Sequence, residues 1–159
     1  MNRDLLLSRA IEDLRALGYR GCEPVMGIAD CFEMTSPEGE SVKIKIHKRS
    51  KLHGRYQYWY GINHDCLSLV DFVALWHEDG RRLPLVPTAF LRGVYGRMVK
   101  GSKAVGIGGP KVEDGRWHVD VTFRPGGQVV LLPTNWTCGE APDITAFCQT
   151  IPSSRVSVG

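Results

Sequence analysis

Residues 30–60, DCFEMTSPEGESVKIKIHKRSKLHGRYQYWY, carry the clearest structural pattern in this chain. Within residues 42–47, valine and isoleucine alternate with two lysines and a histidine. Because successive side chains of a strand point to opposite faces of a sheet, this alternation predicts a strand with one buried face. The other face then carries Lys43, Lys45 and His47.

The flanking residues extend this strand into a three-stranded unit. Residues 36–39 (Ser-Pro-Glu-Gly) have the composition of a turn, which places one strand at residues 30–34 and the next at residues 41–48. A basic loop at residues 49–55 then leads into an aromatic strand at residues 56–62. The unit therefore places an acid on one strand, lysines on the next and aromatic residues on a third.

Helices and further strands are predicted on both sides of this unit. Helical spacing of apolar residues predicts a helix over about residues 4–17, and Thr88 is the expected N-cap of a second helix that reaches about Met98. The apolar run at residues 71–76 is typical of a strand buried on both faces. The remaining predicted strands are at about residues 24–27, 82–86, 117–123 and 128–132.

With 159 residues, the chain has the length of one domain. We expect an α/β fold with a central mixed sheet, a helix at each end of the core and a C-terminal β-hairpin extension. Residues 1–99 would form the core and residues 100–111 a Gly-rich basic linker or loop. Residues 112–159 would hold the hairpin extension and tail, packed on the core.

Composition excludes several classes of protein. No apolar run approaches the ~20 residues that span a bilayer, and acidic residues interrupt the N-terminal leucines, unlike a signal peptide. The 5 cysteines are scattered, with no C-x-x-C pair, and the histidines lack metal-ligand spacing. We therefore expect a cytoplasmic protein with no membrane partner, disulfide framework or zinc site.

Charge is unevenly distributed along the chain. Residues 1–42 are net acidic, residues 43–111 are strongly basic, and residues 112–159 are slightly acidic. Residues 41–55 alone contain six basic side chains and no acidic one, next to the aromatic strand. A basic segment beside aromatic residues indicates an anionic partner such as nucleic acid, although lysines that only solubilise a sheet face would look the same.

An acid and a lysine on neighbouring strands also match the needs of metal-assisted phosphodiester hydrolysis. Carboxylates hold the ion, and a lysine stabilises the developing charge. Asp30 is the candidate carboxylate and Lys45 the candidate lysine. Residue 43, where a second ligand would be expected, is itself a lysine.

This order of elements resembles the PD-(D/E)XK restriction-endonuclease-like superfamily over about residues 4–98. In that family a hairpin carries an Asp on one strand and an acidic-x-Lys triplet on the next, often with an acid on the preceding helix. The resemblance implies a restriction-endonuclease-like core, in which Asp30 binds Mg²⁺, Lys45 is catalytic and Glu12 is the helix acid. It also implies DNA, or RNA, as the partner and a homodimer by analogy.

Two residues differ from the family pattern at positions that affect activity. Lys43 replaces the acidic residue of the triplet and would repel Mg²⁺, and Ala29 replaces the usual proline. Glu33 would substitute only if a bulge brought it to the same side as Asp30. The chain is therefore either a divergent metal-dependent endonuclease or a relative that has lost cleavage and kept recognition.

In either case we expect one set of basic residues to hold the phosphates. The alternative function is a non-catalytic protein-interaction module that uses the aromatic strand and the C-terminal hairpin, and this predicts little salt dependence. The candidate nucleic-acid-binding residues are Lys43, His47, Lys48, Arg49, Lys51, Arg55, Arg97, Lys100 and Lys103.

Overall fold

The computed structural model describes residues 3–49, 57–78, 80–105 and 109–152. Two α-helices, two short 3₁₀ segments and ten strands follow one another along these residues. In chain order they are α1 (Arg3–Ala16), β1 (Arg20–Pro24), β2 (Cys31–Thr35), β3 (Ser41–Arg49), β4 (Gln57–Asn63), a 3₁₀ segment (His64–Ser68), β5 (Phe72–His77), β6 (Arg82–Pro87), α2 (Thr88–Val105), β7 (Val112–Glu113), β8 (Arg116–Phe123), β9 (Val129–Pro133), a 3₁₀ segment (Thr145–Phe147) and β10 (Cys148–Thr150).

The strands form two sheets. The first is a mixed six-stranded sheet in the order β1-β2-β3-β5-β6-β10, in which only β3 and β5 run parallel. The second is antiparallel and is centred on β8, which pairs with β4 along one edge and with β7 and β9 along the other. The predicted α/β class and mixed sheet are confirmed, whereas the aromatic strand β4 lies in the second sheet.

The central part of the first sheet is covered on both faces. On one face, α1 packs through Leu6, Ala10 and Leu14 against the apolar side of β3, where Ile44 and Ile46 are almost fully buried. On the other face lies the larger core, which unites the inner side of the second sheet with α2. Strand β5 contributes to both cores through alternate residues, which confirms the expectation of a strand buried on both faces.

Two predicted boundaries differ from the structure. The first strand ends at Pro24 rather than starting there, since Val25 and the residues after it form a turn. Helix α2 continues to Val105, so residues 100–105 of the predicted linker are helical. Where the extended helix passes Cys138, residue 101 is glycine, and a Cβ there would lie only 2.9 Å from the Cys138 Sγ.

The C-terminal region is integrated into both sheets. The predicted hairpin, β8 and β9, forms the second sheet with β4, and β10 closes the edge of the first sheet beside β6. Residues 112–152 therefore add strands to the two sheets that also contain the strands of residues 57–87. In the described ranges, no helix combines the length and apolarity that crossing a bilayer requires.

Candidate functional site

A polar cleft of about 640 Å³ lies where the end of β3 faces the second sheet. One wall is formed by residues 29–30 and 45–49. The other is formed by residues within 59–63 and by residues 114–116, and Leu6 and Asp65 complete the lining. We call this feature the cleft. It contains two of the three predicted catalytic residues, Asp30 and Lys45, and three of the predicted nucleic-acid-binding residues, His47, Lys48 and Arg49.

Asp30 reaches the cleft because the backbone turns sharply just before β2. Its φ is 51°, a left-handed conformation that Asp tolerates better than most residues. The Asp30 carbonyl accepts a hydrogen bond from the Ile46 N–H at 2.8 Å, which holds the turn against β3. The Asp30 carboxylate then forms an ion pair with the Lys48 ammonium, and both side chains are largely shielded from solvent.

Lys45 is buried, with 6% of its surface exposed, although the strand pattern predicted a solvent-facing side chain. Its Cα partner across the sheet is Cys31, which forms a small apolar cluster with Cys66 and Val70 over this face of β3. The Lys45 ammonium donates to the Ala29 carbonyl. Burial lowers the pKa of Lys45, and nearby Asp30 partly opposes this change.

The two cysteines beside Lys45 are core residues, as expected from the sequence. Burial raises the pKa of Cys66 to about 11, and burial also raises the pKa of Cys31. Both thiols therefore stay protonated near neutral pH and are poor nucleophiles.

His47 connects the two sheets. Its Nε2 accepts a hydrogen bond from the backbone N–H of Asn63 at 3.3 Å, which requires that nitrogen to be unprotonated. Burial, with the Lys45 charge as the next cause, lowers the pKa of His47 to about 3. His47 is therefore neutral at physiological pH and adds no charge for phosphate binding.

The opposite wall of the cleft carries Trp59 and Arg116 of the second sheet, and Arg49 reaches this wall from the end of β3. The Arg49 guanidinium lies over the Trp59 ring, 5.1 Å from its centroid. Gly61 follows Trp59 on the same face of β4, and the side chain of Arg116 crosses it. A Cβ at Gly61 would lie 3.1 Å from the Arg116 Cβ and 3.4 Å from the indole. The missing side chain at position 61 therefore provides the space in which Arg116 lies.

Sequence reasoning identified Lys48 and Arg49 but missed Arg116, because only the pairing of β4 with β8 brings position 116 to the cleft. A glycine within an aromatic strand was the available signal, since such a glycine often marks a close approach of another group. Trp59, Gly61 and Asn63 alternate with buried residues, but this alternation does not indicate which residue of another strand lies against Gly61.

Other predicted site residues lie away from the cleft. Glu12 is exposed on α1 and does not line the cleft, and its neighbour Asp13 is buried and accepts a hydrogen bond from the Trp76 indole at 2.8 Å. Lys43 is exposed, and its backbone N–H donates to the Asp71 carboxylate at 2.8 Å.

The remaining predicted phosphate-binding residues lie on α2 or outside the described residues. Arg97 and Lys100 are exposed on α2 and do not line the cleft. Lys51, Arg55 and the side chain of Lys103 lie outside the described residues.

The residues present do not fit a magnesium site. Mg²⁺ takes oxygen ligands in near-octahedral geometry, usually including one or two carboxylates. The Asp30 carboxylate is paired with Lys48, and the position expected for a second acid is Lys43. Glu33 pairs with Lys43 across the sheet and accepts a hydrogen bond from Ser41. Across residues 3–49, 57–78, 80–105 and 109–152, no three His, Cys, Asp or Glu side chains are grouped to hold an ion.

Comparisons of the chain with protein-family models, with curated proteins and with solved structures found no match. The class is therefore defined by topology alone: an α/β protein whose mixed six-stranded sheet packs on a second, antiparallel sheet. The restriction-endonuclease-like core remains a prediction.

Proposed function

We propose that this protein binds nucleic acid through the phosphates of a strand placed in the cleft. The observation that carries this proposal is the pair of arginines at Trp59: Arg49 lies over the indole, and the side chain of Arg116 crosses the neighbouring Gly61. Within the described part of the chain, neither guanidinium has a carboxylate partner. Two unpaired arginines beside an aromatic ring suit a partner that offers both phosphates and bases.

The charges around the cleft favour an anion on this wall. Asp30 is already neutralised by Lys48, and the other two acids that line the cleft, Asp65 and Asp114, are exposed, Asp65 with 88% of its side chain. Among the described residues, the buried Nε of Arg49 has no hydrogen-bond acceptor. Buried donors normally have a partner, so a phosphate oxygen would satisfy an otherwise unpaired group, given a small movement of the side chain.

Trp59 gives the cleft a surface for bases. The indole is partly exposed: the Arg49 guanidinium lies over its ring and the His118 ring contacts it edge-on, with 5.1 Å between the ring centroids, so a base would stack on the part that these groups leave open. Aromatic side chains bind unpaired bases with little sequence preference because every base has a π-face. This supports unpaired nucleic acid, DNA or RNA, as the ligand. Most of the affinity would then come from the phosphates.

The alternative, a protein-interaction module, has less support from the positions of the aromatic residues. Tyr58 and Tyr60 of the aromatic strand are buried in the larger core, together with Trp117 of the C-terminal hairpin. These side chains hold the second sheet against the first, so most of the aromatic surface is used internally. Homodimer formation remains a prediction.

The test is the binding of fluorescein-labelled single-stranded and duplex oligonucleotides, measured by fluorescence anisotropy as a function of salt. Arg49→Gln and Arg116→Gln should each weaken binding about tenfold and reduce the slope of log affinity against log salt by about one. Arg124→Gln is the matched control, since Arg124 is exposed in the turn after β8. Absence of binding, or equal effects of all three variants, would refute the proposal.

A further inference from the structure

The carboxylate at the base of the cleft is already bound by a positive group. The Asp30 carboxylate is paired with the Lys48 ammonium, whose side chain is 8% exposed, and the Lys45 ammonium lies close by, bound to the Ala29 carbonyl. Two ammonium groups therefore lie where a carboxylate-bound metal would have to enter. A divalent cation there would have to displace Lys48 and accept the repulsion of Lys45.

The same ammonium groups keep donors for another anion. A lysine ammonium has three N–H donors. The structure assigns one donor of Lys45 to Ala29 and one of Lys48 to Asp30. Both side chains line the cleft, so their remaining donors are available to a phosphate oxygen there.

We propose that the cleft binds phosphate without a divalent cation, through the ammonium groups of Lys45 and Lys48. This inference rests on the proposed nucleic-acid function and deepens it. Asp30 is then a positioning residue that holds Lys48 at the cleft rather than a metal ligand. The protein recognises a phosphodiester strand and does not use a magnesium ion to cleave it.

The first test is made on the wild-type chain and needs no substitution. Oligonucleotide affinity is measured in EDTA, in Mg²⁺ and in Mn²⁺ at matched ionic strength, and supercoiled plasmid is incubated under the same conditions. The expected result is an affinity that changes less than about twofold and a plasmid that stays intact. Mn²⁺ binding to the protein alone, followed by the electron paramagnetic resonance signal of free Mn²⁺, should be weaker than about 1 mM.

The second test compares two lysines of β3. Lys48→Met should weaken oligonucleotide binding about tenfold in EDTA, because an ammonium is lost and the Asp30 charge is exposed to phosphate. Lys43→Met, on the same strand but outside the cleft, should change affinity less than about threefold. Lys48→Arg keeps the charge and should retain most of the affinity, and circular dichroism checks that each variant is folded.

The outcomes distinguish failure of this inference alone from failure of the proposed function. Oligonucleotide binding that requires Mg²⁺, plasmid cleavage in Mg²⁺, or tight Mn²⁺ binding would overturn metal-free recognition and leave nucleic-acid binding in place. Equal effects of Lys48→Met and Lys43→Met would overturn the role of Lys48. If the wild-type chain binds no oligonucleotide under any condition, the proposed function fails, and this inference fails with it.

Discussion

Mild acid should destabilise this protein through His47. The Nε2 of His47 accepts the Asn63 N–H at 3.3 Å, and burial together with Lys45 lowers the pKa of His47 to about 3. An unfolded chain would have the ordinary histidine pKa of about 6.5. Because the folded-state pKa is the lower one, the unfolded chain takes up the proton first. Stability is therefore fully present above about pH 6.5 and is lost as the pH falls toward about 3.

The expected loss at about pH 5 is about 2 kcal/mol. This figure depends only on the unfolded-state pKa, as long as the folded-state pKa stays well below about 5. It is a substantial fraction of the ~5–15 kcal/mol by which domains are stable. Phosphate binding at about pH 5 should gain no charge from His47, because its folded-state pKa of about 3 keeps it neutral there.

Urea unfolding followed by tryptophan fluorescence at about pH 7.5, 6.5 and 5 measures the effect, in the wild type and in His47→Gln. Glutamine can accept the Asn63 N–H but does not titrate. Between about pH 7.5 and 5 the variant should lose about 2 kcal/mol less free energy of unfolding than the wild type. All other titrating groups are common to both proteins, so equal losses would refute the buried, neutral state of His47.

Three further substitutions test the cleft and α1. Gly61→Ala should weaken oligonucleotide binding about three- to tenfold in the anisotropy assay, because its Cβ pushes Arg116 aside, while it costs only about 1–2 kcal/mol of unfolding free energy. Unchanged affinity would show that the position of Arg116 is irrelevant. Asp13→Ala should cost about 1–3 kcal/mol in urea unfolding, since it leaves the buried Trp76 indole N–H without its acceptor. Glu12→Gln should change stability by less than about 0.5 kcal/mol and leave oligonucleotide affinity unaltered; a loss of affinity would restore Glu12 as a site residue.

The sequence pattern was sufficient to predict those strands whose buried residues follow the periodicity of the strand itself. The alternation within residues 42–47 correctly predicted β3, because the apolar side of that strand packs directly on α1. The apolar run of β5 correctly predicted a strand covered on both faces. The basic character of residues 43–55 was also visible in the sequence, whereas Asp30 was predicted in a strand and lies in the turn just before β2.

The sequence pattern did not predict the burial of residues whose surroundings come from distant parts of the chain. Lys45 reads as a solvent-facing lysine, but the cluster of Cys31, Cys66 and Val70 covers its face of the sheet. Glu12 and Asp13 are adjacent acids on one helix, and only the position of Trp76 makes the second of them buried and hydrogen-bonded.

By itself, the sequence determined the helices, most of the strands, the basic middle of the chain and the acid at position 30. Tertiary structure decided the division into two sheets, the addition of β10 to the first sheet and the meeting of Arg116 with Trp59. The reason is physical. Periodicity reports which side of an element is buried, whereas strand pairing between remote segments depends on which surfaces fit together when the whole core is packed.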